Sequence, residues 1–329
     1  MKKACTRSIV VLLLVCMMIN GTYALAQEEN QKSLIFPGQE IWPVLPALTE
    51  NGFLAQDAQP AEFIHVDQEN GLWLYISKDL HIEILRYQDT VNPLIWYEAD
   101  VRTTGEETLH TVLADPKRPG RKFLRPETIA RNNQLVFAIN DDQFGERRLD
   151  KVTVGIVVRN GEIITSKTMK NGNKGFPNLD TMALFPDGTF KVFQSKEYAA
   201  EEYLSMGATD VLCFGPFLIR DGVTNPALNE RYDDLQPRCA IGLVEPYHYK
   251  VVLAEGRHEG TKGVGLLWMA QRLEKLGAKE AFNLDGGNTS AMVFMGEKLN
   301  TNNSKGPDNN VRSLTGMLGI GISQQVPKE

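Results

Sequence analysis

The chain has 329 residues and a formal net charge of −6. That length suits one large domain or two small ones, and the mildly acidic balance leaves no basic footprint for nucleic acid or an anionic membrane. Of the four cysteines, Cys5 and Cys16 lie in an apolar N-terminal stretch, and Cys213 and Cys239 have no zinc-ligand spacing to the scattered histidines.

Met1 to Ala26 reads as a secretory signal. Lys2, Lys3 and Arg7 form its positive start, Ile9 to Ile19 its apolar core and Ala24-Leu25-Ala26 its cleavage site. The apolar run is shorter than the roughly 20 residues a bilayer span needs, and Cys16 lacks the small residues that precede a lipidated cysteine. The expected location is therefore extracellular, with no membrane contact beyond the signal; the alternative is a signal left uncleaved as an N-terminal anchor. Gln27 to about Pro60 is polar and proline-punctuated, an extended leader. The domain is expected from Ala61 to Ser323, with residues 324–329 as a tail.

From Gly71 the pattern is β. Leu72 to Ser77, His81 to Tyr87 and Leu94 to Thr103 alternate or run apolar, with β-branched and aromatic residues. Asp115 to Arg125 is a basic loop, either a solvated surface or a phosphate-collecting rim. Pro126 to Asn132 reads as a short helix with Pro126 in its first turn, and Gln134 to Asn140 as a strand ending at Asp141 and Asp142. Val152 to Arg159 and Glu162 to Lys167 flank an Asn160-Gly161 turn and make a hairpin; Thr181 to Phe185 and Thr189 to Ser195 make another. Tyr198 to Met206 is a helix closed by Gly207, and Val211 to Arg220 a strand. Further strands are expected from Arg238 to Gly242 and from Tyr249 to Ala254. Leu266, Leu267, Ala270, Leu273 and Leu276 mark one helix face ended by Gly277, and Met317 to Ile322 is a last strand. Hairpins outnumber helices, so the predicted class is α+β: mixed, mainly antiparallel β-sheets with a few covering helices in a single domain. Cys213 and Cys239 both fall in core strands, as two buried thiols or one disulfide.

The most informative segment is Asn283-Leu284-Asp285-Gly286-Gly287-Asn288-Thr289-Ser290. It places Asp285 where a buried strand opens into a glycine turn, beside small polar residues, as many sugar and phosphate pockets are built. Asp-Gly is equally a hairpin signal. The flanks add Arg238-Cys239-Ala240-Ile241-Gly242, Glu255-Gly256-Arg257, Phe214-Gly215-Pro216-Phe217 and Ala138-Ile139-Asn140-Asp141-Asp142. In chain order, over roughly residues 95–322, the five motifs resemble those of the phosphodiester glycosidase family. Glu255 stands where that family has Asp, which keeps the carboxylate and lengthens its reach by one methylene. Asp141 stands where Gly is usual, and Asn288-Thr289 replace Gly-Ser.

The resemblance implies cleavage between a sugar's anomeric carbon and a phosphodiester oxygen. Such a reaction passes through an oxocarbenium-like transition state and needs a carboxylate near that carbon. The leaving phosphate monoester has a second pKa near 6, so it needs positive bidentate donors more than a general acid. Asp285 is the expected carboxylate on the sugar and Glu255 the second catalytic acid. Arg238 and Arg257, with Arg312 behind them, are the expected phosphate ligands. Asn140 and Asp142 are expected to bind sugar hydroxyls or orient the acids, Asn283 to fix a neighbouring carboxylate, and Gly286 and Gly287 to admit the substrate. No cofactor is required. Oxygen ligands at Asp142 and Asp285 suit Ca²⁺ or Mg²⁺, although the spacing matches no known loop.

Each residue also has a plainer reading. Arg238 with Glu255 is a possible structural ion pair, Arg257 and Arg312 possible surface charges, and Asp141 and Asp142 possible turn acids. The expected substrate is a carbohydrate phosphodiester of cell-wall or extracellular polysaccharide. The competing function is a non-catalytic glycan-binding protein on the same fold, which would need fewer charges and more exposed aromatics. Trp73, Trp96 and Trp268 sit in apolar patterns and Trp42 in the leader, so no stacking strip is evident. A metal-dependent phosphodiesterase would need an Asp/His cluster that the sparse histidines do not supply.

Overall fold

A computed structural model of the protein describes residues 34–35, 42–142, 144–145, 155–167, 179–228, 234–302 and 312–329. The signal and most of the leader before Trp42 lie outside the described residues, as do the first residues of the hairpin read from Val152.

Among the described residues the strands form three sheets. The largest has the order β14 (Val223–Thr224), β13 (Phe217–Arg220), β17 (Glu280–Asn283), β15 (Arg238–Glu245), β16 (His248–Ala254), β5 (Leu94–Thr103), β4 (Leu80–Asp89), β3 (Leu72–Ile76) and β2 (Phe63–Asp67). The short β1 (Leu34–Ile35) also pairs with β4. A second sheet has the order β11 (Phe190–Phe193), β10 (Asp180–Leu184), β12 (Asp210–Phe214), β8 (Gly155–Arg159) and β9 (Glu162–Lys167). The third runs β19 (Glu297–Lys298), β18 (Met292–Phe294), β7 (Leu135–Asn140), β20 (Gly316–Ile322) and β6 (His110–Leu113). The pairings between these strands are antiparallel. With helices α1 (Pro126–Asn132), α2 (Ala200–Ser205) and α3 (Leu266–Lys275), the class is α+β, as expected.

Period-two alternation explains the layering. In β15, Cys239, Ile241 and Leu243 join the core shared by the three sheets, while Ala240 faces the opposite way. In β17, Phe282 and Ala281 divide in the same manner. The outer face is small because α3 lies on it: Leu266, Met269, Ala270 and Leu273 recur at helical spacing and pack over Ala240, Val252, Ala254 and Ala281. Gly277, at φ +87°, ends that helix.

One expected strand is two. Val211 to Arg220 was read as continuous, but β12 and β13 belong to different sheets and separate at Gly215-Pro216. Pro216 has no N–H for a ladder, and Gly215 turns at φ +83°, where a Cβ would stand 2.8 Å from that of Asp180. Asp180 covers the break by accepting the N–H of Ser195 at 2.9 Å and of Phe217 at 3.1 Å. The Asp285-Gly286 step is likewise no hairpin, because β17 and β18 lie in different sheets. Cys213 and Cys239 are buried and not joined in a disulfide.

Candidate active site

The register of the large sheet gathers three motifs at one edge. β15 begins where its neighbours β17 and β16 end, with Arg238 opposite Ala254 and Ala240 opposite Asn283. Hydrogen bonds continue this order beyond the strands, from Leu284 N–H to Cys239 O at 2.9 Å and from Gly287 N–H to Pro237 O at 2.8 Å. Asp285 therefore comes level with Arg238, and Glu255 follows one residue after Ala254.

Arg238 is largely buried. Its Nη2 donates to Asp234 O at 3.1 Å, while its Nε is buried with no hydrogen-bond partner among the described residues. Burial pushes its guanidinium below the ordinary arginine value. Asp234 and Asp285 oppose that push, and Arg257 adds to it. Two guanidinium groups this close form a field in which an anion is stabilised.

Arg257 reaches the same place from an exposed turn, with φ +65°. Its Nε donates to Gln236 Oε1 at 2.7 Å and its Nη1 to Asn288 Oδ1 at 3.2 Å. Gly286 and Gly287 admit these neighbours. A Cβ on Gly286 would stand 2.8 Å from Pro237 O, and one on Gly287 3.0 Å from Arg257 Nη1. At this loop the glycines make room for protein groups as well as for any ligand.

Asp285 is half-buried and its Oδ1 accepts the Gly286 N–H at 2.9 Å. Asn140, at the end of β7, fixes the loop from below. Its Nδ2 donates to Asp285 O at 2.8 Å and its Oδ1 accepts the Ala291 N–H at 2.9 Å. Asn140 is fully buried, so it orients the acid loop. Asn283 spans to the next strand through Nδ2 to Gly215 O at 2.8 Å, and its Oδ1 is buried without a partner among the described residues. The exposed Arg312 closes the far side, with its Nη1 3.3 Å from Thr289 Oγ1 and its N–H on Asn288 O.

Asp142 does not join this group. It is fully buried, accepting Arg159 Nη2 at 2.7 Å and the Cys213 N–H at 2.8 Å, and so ties the end of β7 to β8 and β12. Its carboxylate turns toward an interior arginine because an ion in the core needs a counter-charge. Among the described residues no cluster of three or more His, Cys, Asp or Glu side chains is spaced to hold a metal.

Glu255 lies deeper than its motif suggested. It is 3% exposed. Its Oε1 accepts the Thr301 N–H at 2.6 Å and Tyr97 OH at 3.2 Å, and its Oε2 faces His258 Nε2 at 2.9 Å. The ion pair of Glu255 is therefore with His258 and not with Arg238. His258 Nδ1 faces Glu259 O at 2.7 Å. Both ring nitrogens thus point at acceptors, an arrangement that favours the imidazolium, and the bond to Glu255 raises its pKa above the ordinary value. Beneath the loop, Lys298 meets Asn302 Oδ1 at 3.2 Å, and Asn302 Nδ2 holds Gly287 O at 3.0 Å. Burial lowers the Lys298 pKa to about 8. Gln236, His258, Lys298 and Asn302 were not singled out for this site from the sequence. Only His258 had a visible signal, three residues after Glu255.

A sequence model described as phosphodiester glycosidase matches residues 133–321. A Bacillus subtilis relative, the SPbeta prophage-derived uncharacterized protein YomE, is 27% identical over 176 residues, which is 53% of this chain and 26% of that protein. The chain thus matches only about a quarter of that relative's length. The catalytic domain of zebrafish N-acetylglucosamine-1-phosphodiester alpha-N-acetylglucosaminidase, described as auto-inhibited by its pro-peptide, superposes with a TM-score of 0.57 at 16% identity, covering 74% of this chain and 83% of that one. A hypothetical protein from Synechocystis superposes with a TM-score of 0.51 at 14% identity, covering 75% and 63%. These two likenesses concern the fold.

Proposed function

The chain belongs to the phosphodiester glycosidase family, and from that premise we propose that it hydrolyses sugar-1-phosphodiesters at the bond between anomeric carbon and oxygen. The observation that carries this reading is the buried Arg238 Nε with no hydrogen-bond partner among the described residues, set beside Arg257 and within the field of Asp285. A buried donor of this kind costs about 1–3 kcal/mol until an acceptor meets it, and a phosphate oxygen is a suitable acceptor.

In this reading Arg238 and Arg257 hold the phosphate and Asp285 faces the positive charge that develops on the sugar. The phosphate monoester leaves as an anion already neutralised by the two arginines. Glu255 acts at one remove: with its oxygens engaged and His258 as counter-ion, it fixes the turn that carries Arg257. Asn140 and Asn302 hold the acid loop in place. The signal-like first 26 residues support export, and so a substrate among cell-wall or extracellular glycans. A non-catalytic binding platform finds less support, because no Trp or Phe is exposed among the described residues.

The test is hydrolysis of a synthetic sugar-1-phosphodiester in ¹⁸O-water by the purified protein. Label in the released sugar supports cleavage at the anomeric carbon. Label in the phosphate instead, or no turnover, would refute it.

A further inference from the structure

Beside the arginines lies a groove of about 1050 Å³ to which no step above gives a use. Its walls come from the β4–β5 turn, the segment before β15, the loop after Arg257 and the start of α3. They include Leu94, Leu235, Val264, Leu267, Trp268 and His258. Leu94, Leu267 and Trp268 pack on the same cluster as Ala240, so the groove opens on the face of the large sheet covered by α3. Arg238, two residues before Ala240 in β15, has the parity of that face.

The groove and the arginines share a wall. Gln236 holds Arg257 through its side chain and pairs with Val264 through its backbone, with N···O distances of 3.2 and 3.0 Å, while the adjacent Leu235 lines the groove. His258 lines it directly after Arg257.

Strand order then sets three stations in a row. Asp285 extends β17, Arg238 opens β15, Arg257 and His258 follow β16, and the groove lies over β5 and β4, which are consecutive strands of the sheet. Each step is about 4.8 Å. A sugar-1-phosphodiester is a row of the same kind: sugar, phosphate, aglycone. With the sugar at Asp285 and the phosphate at the arginines, the aglycone enters the groove.

We propose that this groove is the aglycone subsite and that the aglycone is a hydrocarbon chain, so that the substrate is a glycan joined to an apolar group through its anomeric phosphate. This rests on the reading of Arg238 and Arg257 as the phosphate site. The walls are mostly carbon, and Leu235 is 48% exposed, an apolar side chain that a hydrocarbon would take out of water. The charged lining carries both signs, Asp89 against Lys262 and His258, which selects no ionic aglycone.

The experiment compares two substrates that share sugar and phosphate and differ only in aglycone, methyl or octyl, using the full chain. The octyl substrate is expected to have a KM lower by about tenfold or more, since each buried methylene adds several-fold. In Leu235→Glu the ratio of the two KM values should fall toward one. Equal KM values in the native protein, or an octyl preference that persists in Leu235→Glu, would overturn the proposal. So would a stronger preference for a glycosyl aglycone than for octyl. If neither substrate is turned over, the catalytic reading fails and octyl phosphate binding, followed by calorimetry, decides the groove alone. Binding that is weakened at least fivefold in Leu235→Glu supports it; no binding, or binding unaffected by the substitution, overturns it.

Discussion

The guanidinium of Arg257 rests on Gly287, so close that a Cβ at that position would stand 3.0 Å from Nη1 and 3.2 Å from Cζ. Gly287 also has φ +63°. Gly287→Ala therefore meets two obstacles, a left-handed backbone costing about 1–2 kcal/mol and an arginine that must move. The expected outcome is a modest loss of stability with a larger rise in KM for a sugar-1-phosphodiester. A variant with lowered melting temperature and native KM would show that Arg257 does not depend on this contact.

Arg238 gives a prediction about geometry. Lysine keeps the charge but has no Nε–H and no fork. Arg238→Lys is expected to raise KM by about tenfold to a hundredfold, the range of one or two charge-assisted hydrogen bonds, with a smaller change in kcat. Steady-state kinetics on the variant measures this, and an unchanged KM would remove Arg238 from the phosphate site.

Much of this arrangement was legible in the sequence because it is written in local periods. Apolar alternation located most strands, and Leu266, Ala270 and Leu273 located α3. The meeting of Arg238 with Asp285 follows from antiparallel neighbours, one strand beginning where the other ends. What escaped the reading depends on contacts between sheets and on local turn geometry. Nothing near Asp142 announces Arg159, which approaches from another sheet to bind it. The Glu255–His258 pair required knowing that Arg257 between them takes a left-handed conformation. The break at Gly215-Pro216 was readable as a turn signal but lay inside an apolar run that favoured one strand.

The helix that backs the site offers a control. Leu273 is completely buried between α3 and the large sheet. Leu273→Ala should cost about 2–5 kcal/mol, read from denaturant unfolding. Turnover per folded molecule should remain native, because the residue touches none of the site's polar groups. A loss of turnover beyond the unfolded fraction would mean that α3 also sets the positions of the arginines.

His258 makes stability depend on pH with a definite sign. Its pKa is raised above the ordinary 6.5 by the bond to Glu255, so the folded protein holds that proton more tightly than the unfolded chain. The stabilisation is complete below pH 6.5 and is lost as pH rises through the folded value. Lys298, lowered to about 8 by burial, acts in the opposite direction above that pH, so the clear window lies between the two. The melting temperature should fall across it, and His258→Gln should flatten the slope. An equal slope in the variant would place the titration elsewhere.

Asp285 carries the sharpest prediction. Asp285→Asn retains the side-chain shape and the acceptor for the Gly286 N–H, 2.9 Å from Oδ1 in the native loop, while removing the negative charge. The backbone contacts with Asn140 and Asp141 do not involve the carboxylate and should persist. Folding is therefore expected to survive with little change in melting temperature. Hydrolysis of a sugar-1-phosphodiester should fall by about 10²–10³ or more in kcat, since charge placed against the transition state is commonly the largest single contribution to catalysis. If Asp285 instead serves only the turn, the variant melts earlier and its folded fraction turns over at the native rate. Melting temperature and kcat measured on the same preparation separate these outcomes. Native turnover per folded molecule would exclude Asp285 as the catalytic carboxylate. It would return attention to Glu255, which would then have to release His258 to reach the sugar.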